Sequence, residues 1–247
     1  MAKVLLVTGA SRGIGAATAK LGAARGFDVC VNYNSNGALA EAVVKDIRAS
    51  GRAAVAVQAD TSQEQDVVRL FKACDRELGP VSALVNNAGI TGGVALIEEV
   101  NAHMLRELME INIVGYFLCA KEAVKRMSTA RGGTGGAIVN VSSRAADLGG
   151  ANEWIHYAAS RGATDTMTRG MSIELGKKGI RVNAVQPGII DTDIHATGLP
   201  ARMEKSLPNI PIGRVGQAQE VAETILWLLS DQASYVTGAI VNVSGGR

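Results

Sequence analysis

The stretch from Val4 to Gly15 constrains the fold more than any other part of this sequence. Val4 to Val7 form a continuous apolar run, which is typical of a strand covered on both faces in a parallel sheet. Three glycines follow: Gly9, Gly13 and Gly15. Glycine permits a sharp backbone turn and the close approach of a ligand. A helix predicted from about Ile14 would direct its free N–H groups and positive dipole end at a pyrophosphate. We therefore expect a dinucleotide-binding strand–turn–helix unit at the start of an alternating β/α chain.

Further apolar runs alternate with amphipathic segments of helical period along the rest of the chain. The corresponding strands are predicted at residues 29–31, 53–59, 83–85, 137–141, 181–186 and 239–243. A chain of 247 residues can bury a large core in one doubly wound sheet. The predicted fold class is α/β: a single doubly wound Rossmann-type domain over residues 1–247, with a seven-stranded parallel sheet and helices on both faces.

Two helical segments lead to more detailed predictions. Residues 101–127 have a long helical pattern with Asn112 in the middle of its apolar face. The apolar positions predicted to face the core are Leu105, Leu108 and Leu118. A buried carboxamide needs hydrogen bonds, so Asn112 is either satisfied structurally or positions a water. Thr61 to Glu64 have the sequence of a capping box at another helix start.

Composition and charge argue against several classes of function. The formal net charge is +2 without a basic, aromatic-rich cluster, so we expect no nucleic-acid binding. No apolar run approaches the ~20 residues that span a bilayer, and the N-terminal run is too short for a signal peptide. We therefore expect a cytoplasmic protein without a membrane segment.

Cysteine and the remaining candidate metal ligands give no strong pattern. The cysteines are widely spaced and fall on predicted strand or helix faces, where a thiol acts as a small hydrophobe: Cys30, Cys74 and Cys119. Asp191, Asp193 and His195 lie close together, but their irregular spacing and the lack of a further ligand cluster argue against a metal site. We expect no bound metal.

The end of the second predicted strand indicates which dinucleotide is preferred. An acidic residue there would bind the ribose hydroxyls and repel a 2′-phosphate, but the sequence reads Asn-Tyr-Asn-Ser at residues 32–35. Arg12 lies in the nearby glycine loop, and a cation with the neutral donors Asn34 and Ser35 suits a phosphate. We therefore favour NADP(H) over NAD(H). The alternative is that Arg12 is a solvated loop charge and that Asn34 and Ser35 form a turn.

Residues suited to carbonyl chemistry follow the later strands. Ser142 and Ser143 end the fifth strand, at the edge where ligands of such sheets bind. Tyr157 and Arg161 are four residues apart in a predicted helix, so they share one face. In carbonyl reduction Tyr157 can donate the proton and Ser143 can hydrogen-bond the carbonyl oxygen. Tyrosine has an ordinary pKa near 10, so this chemistry calls for a neighbouring cation.

Taken together, these motifs resemble the short-chain dehydrogenase/reductase family along essentially the whole chain. The matching segments are Thr8 to Gly15, Asn86 to Gly89, Asn112, Ser143, Tyr157, Pro187-Gly188, Thr192 and the ending Tyr235 to Ala239. The sequence is most similar to bacterial 3-oxoacyl-[acyl-carrier-protein] reductase-like, carbonyl reductase and sugar dehydrogenase members. The resemblance implies a small-molecule carbonyl or alcohol substrate and a homotetramer or homodimer.

The resemblance also implies roles for individual residues. It places Asn112, Ser143, Tyr157 and Arg161 in the catalytic group. The implied cofactor-binding residues are Gly9, Ser11, Arg12, Gly13, Ile14, Gly15, Asn34, Ser35, Asp60, Asn87, Ala88, Gly89, Tyr157, Arg161, Pro187, Gly188, Ile190 and Thr192. In the family, an acid at the position of Asp60 binds the adenine, although Asp60 could equally favour the following helix start.

Two positions depart from the family pattern. The family motif is Tyr-x-x-x-Lys, whereas this chain has Arg161, which is bulkier, planar and effectively never deprotonates. The family lysine is thought to assist the tyrosine, bind the nicotinamide ribose and pass protons. Ser143 also lies one residue further from Tyr157 than is usual, which leaves Ser142 as an alternative catalytic serine.

Three hypotheses of function follow. The favoured one is an NADP(H)-dependent reductase of ketones or aldehydes, running in either direction. The second is a cofactor-binding protein with little turnover because of Arg161, and the third is an NAD-dependent sugar dehydrogenase. A segment at residues 191–213 is predicted to form a substrate lid. The aliphatic residues expected near the cleft favour an apolar carbonyl compound: Ile90, Ile190, Ile194 and Leu199.

Overall fold

A computed structural model describes residues 3–192 and 207–247 of the chain. The strands are β1 Val4–Val7, β2 Asp28–Tyr33, β3 Ala54–Gln58, β4 Ala83–Asn86, β5 Gly136–Val141, β6 Ile180–Pro187, β7 Ile190–Asp191, β8 Gly216–Gln217 and β9 Ile240–Val243. The α-helices are α1 Gly13–Ala24, α2 Gly37–Ala49, α3 Glu64–Glu77, α4 Ala102–Met109, α5 Gly115–Met127, α6 Ala145–Leu148, α7 Ile155–Leu175 and α8 Ala218–Leu229. A π-helical turn, Glu110–Val114, joins α4 to α5.

Seven of these strands form one parallel sheet in the order β3-β2-β1-β4-β5-β6-β9, which confirms the predicted fold class. The strand order reverses at the centre, where Leu5 of β1 is paired with Val29 of β2 on one side and Ala83 of β4 on the other. Loops that leave adjacent strands in opposite directions open a crevice at such a point. β7 and β8 form a separate two-stranded sheet in which Ile190 is paired with Gly216.

Helices cover both faces of the sheet, as predicted, because alternate residues of each strand point to opposite sides. In β1, Leu5 and Val7 pack against α1, α2 and α8, while Val4 and Leu6 pack against α3, α5 and α7. All four side chains are buried. The cysteines lie in this apolar interior with free thiols: Cys30, Cys74 and Cys119.

The helix predicted over residues 101–127 forms from Ala102 to Met127, but its turn at Glu110–Val114 is π-helical and part of the predicted buried face is wrong. A π turn has more residues per turn than an α-helix, so the buried face of α5 is shifted relative to that of α4. Leu105, predicted to face the core, is 36% exposed, and Leu118 is only partly buried. Tyr116 and Cys119 take the buried positions of α5 instead.

The predicted capping box at Thr61–Glu64 is also wrong, because α3 begins later and its N-cap residue is Gln63. The carboxylate of Asp60 instead accepts hydrogen bonds from the Ser62 backbone N–H at 2.9 Å and from the Ser62 hydroxyl at 2.8 Å. Thr61 is buried and packs beside Gly115 of α5. Thr61 therefore packs against another helix instead of capping α3.

In the described part of the chain, no helix is both long enough and apolar enough to cross a lipid bilayer.

Candidate active site

The loops that follow six parallel strands border a single cleft with a volume of about 440 Å³. It lies at the carboxyl edge of the sheet, around the crevice between β1 and β4. The predicted site residues that line it are Gly9, Ser11, Arg12, Gly13, Ile14, Asn34, Ser35, Asp60, Asn87, Ala88, Gly89, Ser143, Tyr157, Arg161, Pro187, Gly188, Ile190 and Thr192. Gly15 and Asn112 are the predicted site residues that lie behind its wall.

The glycine loop turns between β1 and α1 in a conformation that only glycine adopts easily. Gly9 and Gly13 have φ angles of +61° and +54°. A Cβ on Gly15 would lie 2.6 Å from the Asn87 side-chain nitrogen and would collide with the Gly9 carbonyl oxygen. No side chain caps α1, so the N–H groups of its first turn, beside the cleft, have no capping hydrogen-bond partner and are free to donate to a ligand. This arrangement can bind an anionic group.

Hydrogen bonds join the glycine loop to the segment after β4. The Thr8 hydroxyl oxygen accepts from the backbone N–H groups of Asn87 at 2.9 Å and Ala88 at 3.0 Å. The Asn87 amide donates in return to the carbonyls of Thr8 at 2.9 Å and Gly9 at 3.1 Å. The two family motifs therefore form one connected wall of the cleft.

A buried chain of polar side chains links the middle of the sheet to α7, which carries Tyr157. Asn86 donates to Asn140 Oδ1 at 3.0 Å, and Asn140 donates to the Thr168 hydroxyl at 2.9 Å. Asn140 and Thr168 come from β5 and α7, and no local sequence pattern would identify them. Buried hydrogen bonds between side chains are costly to break, so this chain of bonds holds α7 in position against the sheet.

At the opposite end of the cleft, Arg12, Asn34 and Ser35 are exposed. The Arg12 side chain makes no hydrogen bond or ion pair to the residues that the structure describes. Asn32 borders the cleft but is buried, and its side chain is already bonded: it accepts from the Gly9 N–H at 3.2 Å and donates to the Ala59 carbonyl at 3.0 Å. The cationic Arg12 side chain at this end therefore has no partner among the described residues and is available to a ligand.

Tyr157 and Arg161 lie one helical turn apart on α7, as predicted, and both border the cleft. The Arg161 guanidinium lies 5.1 Å from the centre of the Tyr157 ring, while only 5% of the residue is exposed. Its Nη1 donates to Tyr116 Oη and to the Val141 carbonyl, both at 3.1 Å. Burial acts to lower the pKa of Arg161, but the neighbouring phenols Tyr116 and Tyr157 outweigh it and raise that pKa. Arg161 is therefore a permanent buried cation beside Tyr157.

The two adjacent serines have different surroundings. Ser142 is buried, and its hydroxyl donates to the Arg161 carbonyl at 3.2 Å. Ser143 is half-buried, and its hydroxyl oxygen accepts from the Ala145 N–H at 3.1 Å. Because that contact uses an acceptor lone pair, the hydroxyl hydrogen of Ser143 remains available to a ligand in the cleft.

Asn112 lies in the π turn and is completely buried. Its Oδ1 accepts from the Ile90 N–H, and its Nδ2 donates to the Ile90 carbonyl, both at 2.9 Å. Nδ2 also donates to the Ser160 hydroxyl at 3.1 Å. These bonds satisfy the carboxamide and fix the segment after Gly89 against α7, which is the structural role considered above. The catalytic role that the resemblance implies for Asn112 stays a prediction.

The far end of the cleft contains apolar residues that the sequence patterns did not identify. Ile111, Leu148 and Trp154 line it together with the predicted Ile90. The Trp154 ring meets the Tyr157 ring edge-on, with 6.2 Å between centroids. A tryptophan three residues before the tyrosine was a usable signal, since the two side chains approach each other near the start of α7.

Only the two ends of the predicted lid are covered by the structure. Thr192 lies beside Gly13 of the glycine loop, and residues 207–213 include the short 3-10 turn Leu207–Asn209. Asp193, Ile194, His195 and Leu199 lie outside the described residues. Within residues 3–192 and 207–247 no cluster of three His, Cys, Asp or Glu side chains could hold a metal ion.

The buried carboxyl of Asp165 is linked through Gln186 to the segment that follows Ser143, and it leads to a prediction of pH-dependent stability. Gln186 donates to Asp165 Oδ2 at 2.8 Å and accepts from Arg144, the residue after Ser143, at 3.2 Å. Burial raises the pKa of the Asp165 carboxyl above its ordinary value. The folded chain therefore keeps a proton that the unfolded chain releases from about pH 4, and stability falls as the pH rises through this window.

Asp165→Asn removes this ionisation. The free energy of unfolding of the variant, relative to wild type, should increase from about pH 4 up to the folded pKa of Asp165 and stay constant above it. Urea unfolding at a series of pH values measures the difference, and the values below about pH 4 serve as the internal control. A difference that does not change with pH would contradict the prediction.

Comparisons with known proteins agree with this architecture. A family model described as enoyl-(acyl carrier protein) reductase matches residues 9–247. The uncharacterized oxidoreductase YgfF of Escherichia coli is 51% identical over 245 residues, which covers 99% of each chain.

Two solved structures are also similar over nearly the whole chain. A blue fluorescent protein from a metagenomic library, in complex with NADPH, has a TM-score of 0.92 and 36% identity, with coverage of 99% of this chain and 97% of its own. A short-chain dehydrogenase from Burkholderia cenocepacia, in complex with NADP, has a TM-score of 0.92 and 32% identity at the same coverage. With its matching motifs, sheet order and relatives, the chain belongs to the short-chain dehydrogenase/reductase family of oxidoreductases.

Proposed function

We propose that this protein is an NADP(H)-dependent oxidoreductase that interconverts a ketone or aldehyde with the corresponding alcohol. The observation that carries the proposal is that the glycine loop, Ser143 and Tyr157 border one continuous cleft. A dinucleotide on the loop and a carbonyl beside the serine and tyrosine could therefore meet in a single site. The family and the two ligand-bound structural neighbours support the same reaction class.

The cleft suits a dinucleotide for reasons that can be stated residue by residue. Glycines at positions 9, 13 and 15 leave the space that a Cβ would occupy, and the uncapped start of α1 attracts a pyrophosphate. Arg12 and the absence of an acidic side chain over residues 32–36 favour a 2′-phosphate. The structural neighbours contain NADPH and NADP, which supports the same choice.

When bound, the nicotinamide supplies the hydride for the carbonyl carbon, or accepts it in the reverse reaction. We assign the rest of the chemistry to the protein. Ser143 donates a hydrogen bond to the carbonyl oxygen, and Tyr157 transfers its phenolic proton to that oxygen as the alcohol forms. Arg161 stabilises the resulting phenolate through its charge. Since arginine does not deprotonate, Tyr157 must regain its proton from water that enters the cleft.

The apolar end of the cleft supports a neutral, largely apolar substrate. Ile90, Ile111 and Leu148 would contact a hydrocarbon, and Trp154 offers an aromatic wall close to Tyr157. We therefore propose an apolar ketone, aldehyde or alcohol as the substrate class, and a homotetramer or homodimer as the assembly that the family resemblance implies.

A cofactor-binding protein with little turnover is the second candidate, and Arg161 is the observation that favours it. The two candidate functions are distinguished by measuring NADPH oxidation with a panel of activated ketones, for the wild type and for Arg161→Lys. Turnover by the wild type supports the reductase. Turnover by Arg161→Lys alone, with NADPH bound by both, supports the second candidate. No turnover by either contradicts the proposed reaction.

The proposed role of Arg12 predicts a change in cofactor preference. Arg12→Ala should weaken NADPH binding about 10- to 100-fold and leave NADH binding nearly unchanged, because charge-assisted hydrogen bonds contribute roughly 1.5–3 kcal/mol. Fluorescence titration measures both dissociation constants. Arg131→Ala, on an exposed turn away from the cleft, is the matched control. Equal weakening of both cofactors would show that Arg12 does not contact the 2′-phosphate.

A further inference from the structure

Tyr116 is a buried residue that contacts the centre of the proposed active site without lining the cleft. It follows the π turn on α5 and is 1% exposed. Its hydroxyl donates to the Val141 carbonyl at 3.1 Å and accepts from Arg161 Nη1 at 3.1 Å. The phenol therefore joins the end of β5, just before the two serines, to the arginine beside Tyr157.

The contacts of Arg161 show that one end of its guanidinium determines its orientation. Nη1 donates to Tyr116 and Val141, while Nε has no hydrogen-bond partner within the described part of the chain. Nη2 lies so close to Gly89 that an added Cβ there would collide with it. The guanidinium carbon lies 5.7 Å from the Tyr116 ring centre and 5.1 Å from the Tyr157 ring centre. Without the Tyr116 hydroxyl, Nη1 would retain only its hydrogen bond to the Val141 carbonyl.

This dependence is specific to arginine. A guanidinium is planar and stacks on aromatic rings, so its rotation decides whether its charge faces the Tyr157 ring. An ammonium group is a compact point charge with rotatable donors and has no comparable plane to orient. A hydroxyl that sets the rotation is therefore needed with arginine at position 161 and is largely dispensable with lysine.

On the basis of the proposed function, we propose that Tyr116 is a positioning residue: its hydroxyl holds the Arg161 guanidinium over the Tyr157 ring, in the orientation in which the arginine charge stabilises the Tyr157 phenolate. Tyr116 contacts neither substrate nor cofactor. It acts through Arg161.

The test is a double-mutant cycle of wild type, Tyr116→Phe, Arg161→Lys and the double variant. Tyr116→Phe removes one oxygen and keeps the buried ring. We expect it to lower kcat about 10-fold in the arginine background, with the KM for NADPH within about two-fold, and to change kcat less than about two-fold in the lysine background. The pH profile of kcat should change with Tyr116→Phe in the arginine background alone. Tyr235→Phe, at a fully exposed position, is the matched control.

Thermal unfolding of the same four proteins gives a readout that does not depend on activity. A larger fall in Tm for Tyr116→Phe in the arginine background than in the lysine background supports the contact, whereas equal falls in both backgrounds overturn it. Equal losses of kcat in both backgrounds show a general packing role and overturn the positioning role. If neither wild type nor Arg161→Lys turns over, the proposed function fails, and the proposed effect of Tyr116 on catalysis fails with it. The Tm values of the four proteins still show whether the Tyr116 hydroxyl stabilises Arg161.

Discussion

Replacing Tyr157 with phenylalanine should lower kcat for carbonyl reduction about 10²- to 10⁴-fold, the usual contribution of a general acid. The hydroxyl is the group that we expect to transfer the proton, and the phenylalanine ring would keep the packing with Trp154 and Arg161. The dissociation constant of NADPH should change by no more than a few-fold. Steady-state kinetics together with fluorescence titration of the cofactor measures both effects.

Tyr235→Phe is the control for this replacement, because it removes the same oxygen from a fully exposed side chain. Its kcat and its NADPH affinity should match the wild type. If Tyr157→Phe retained more than about a tenth of the wild-type kcat, another group would supply the proton. Ser143→Ala would then be the next variant to measure, since Ser143 is the neighbouring hydroxyl on the cleft wall.

Gly15→Ala should both destabilise the fold and disrupt cofactor binding. The new Cβ would collide with the Gly9 carbonyl oxygen and approach the Asn87 amide to 2.6 Å and Ala10 Cα to 2.9 Å. Backbone atoms cannot move away as a flexible side chain can, so the glycine loop must shift. Overpacking of this kind costs about 1–3 kcal/mol, and the displaced loop should weaken NADPH binding at least about 10-fold.

Gly170→Ala provides a contrasting control within the same fold. Gly170 lies exposed on α7, and a Cβ there would meet no atom within 4 Å. Alanine in a helix is favoured over glycine, so this variant should gain about 0.5–1 kcal/mol and bind NADPH normally. Urea unfolding and cofactor titration of both variants test the pair. Equal stability and equal affinity for the two alanine variants would show that Gly15 is not tightly enclosed.

Arg161 determines how this site differs from the usual family pattern. Its guanidinium lies on the Tyr157 ring and is held from behind by Tyr116 and Val141. The positive charge is therefore retained next to the tyrosine, although the group that carries it is planar and does not release a proton. The buried amides of Asn86 and Asn140 secure α7, so the spacing between sheet and helix does not depend on Arg161 alone.

The order of strands and helices could be predicted from local patterns because each pattern has a local cause. Continuous apolar runs such as Val4 to Val7 have no solvent-facing side, which requires cover on both faces. Glycine at positions 9 and 13 is required by positive φ angles, a constraint that acts within a few residues. Tyr157 and Arg161 share a face because a helix repeats nearly every four residues.

Other features depend on which elements pack together, and sequence patterns predicted them poorly. The π turn at Glu110–Val114 shifts the buried face of α5 relative to that of α4, so Tyr116 is buried and Leu118 only partly buried. Leu105, on α4 before this turn, is exposed. Thr61 packs beside Gly115 instead of capping α3. In each case contacts between distant segments outweigh a local preference that is small by comparison.

The sequence by itself determined the parallel α/β sheet, the glycine loop and the pairing of a tyrosine with a cation one turn later, since each follows from spacing within one short segment. Only the tertiary structure decided the surroundings of Arg161, the distinction between the two adjacent serines and the partners of Asn112. Each of these includes a hydrogen bond between residues 19 to 48 positions apart, and such a bond forms only when the sheet and helices have packed.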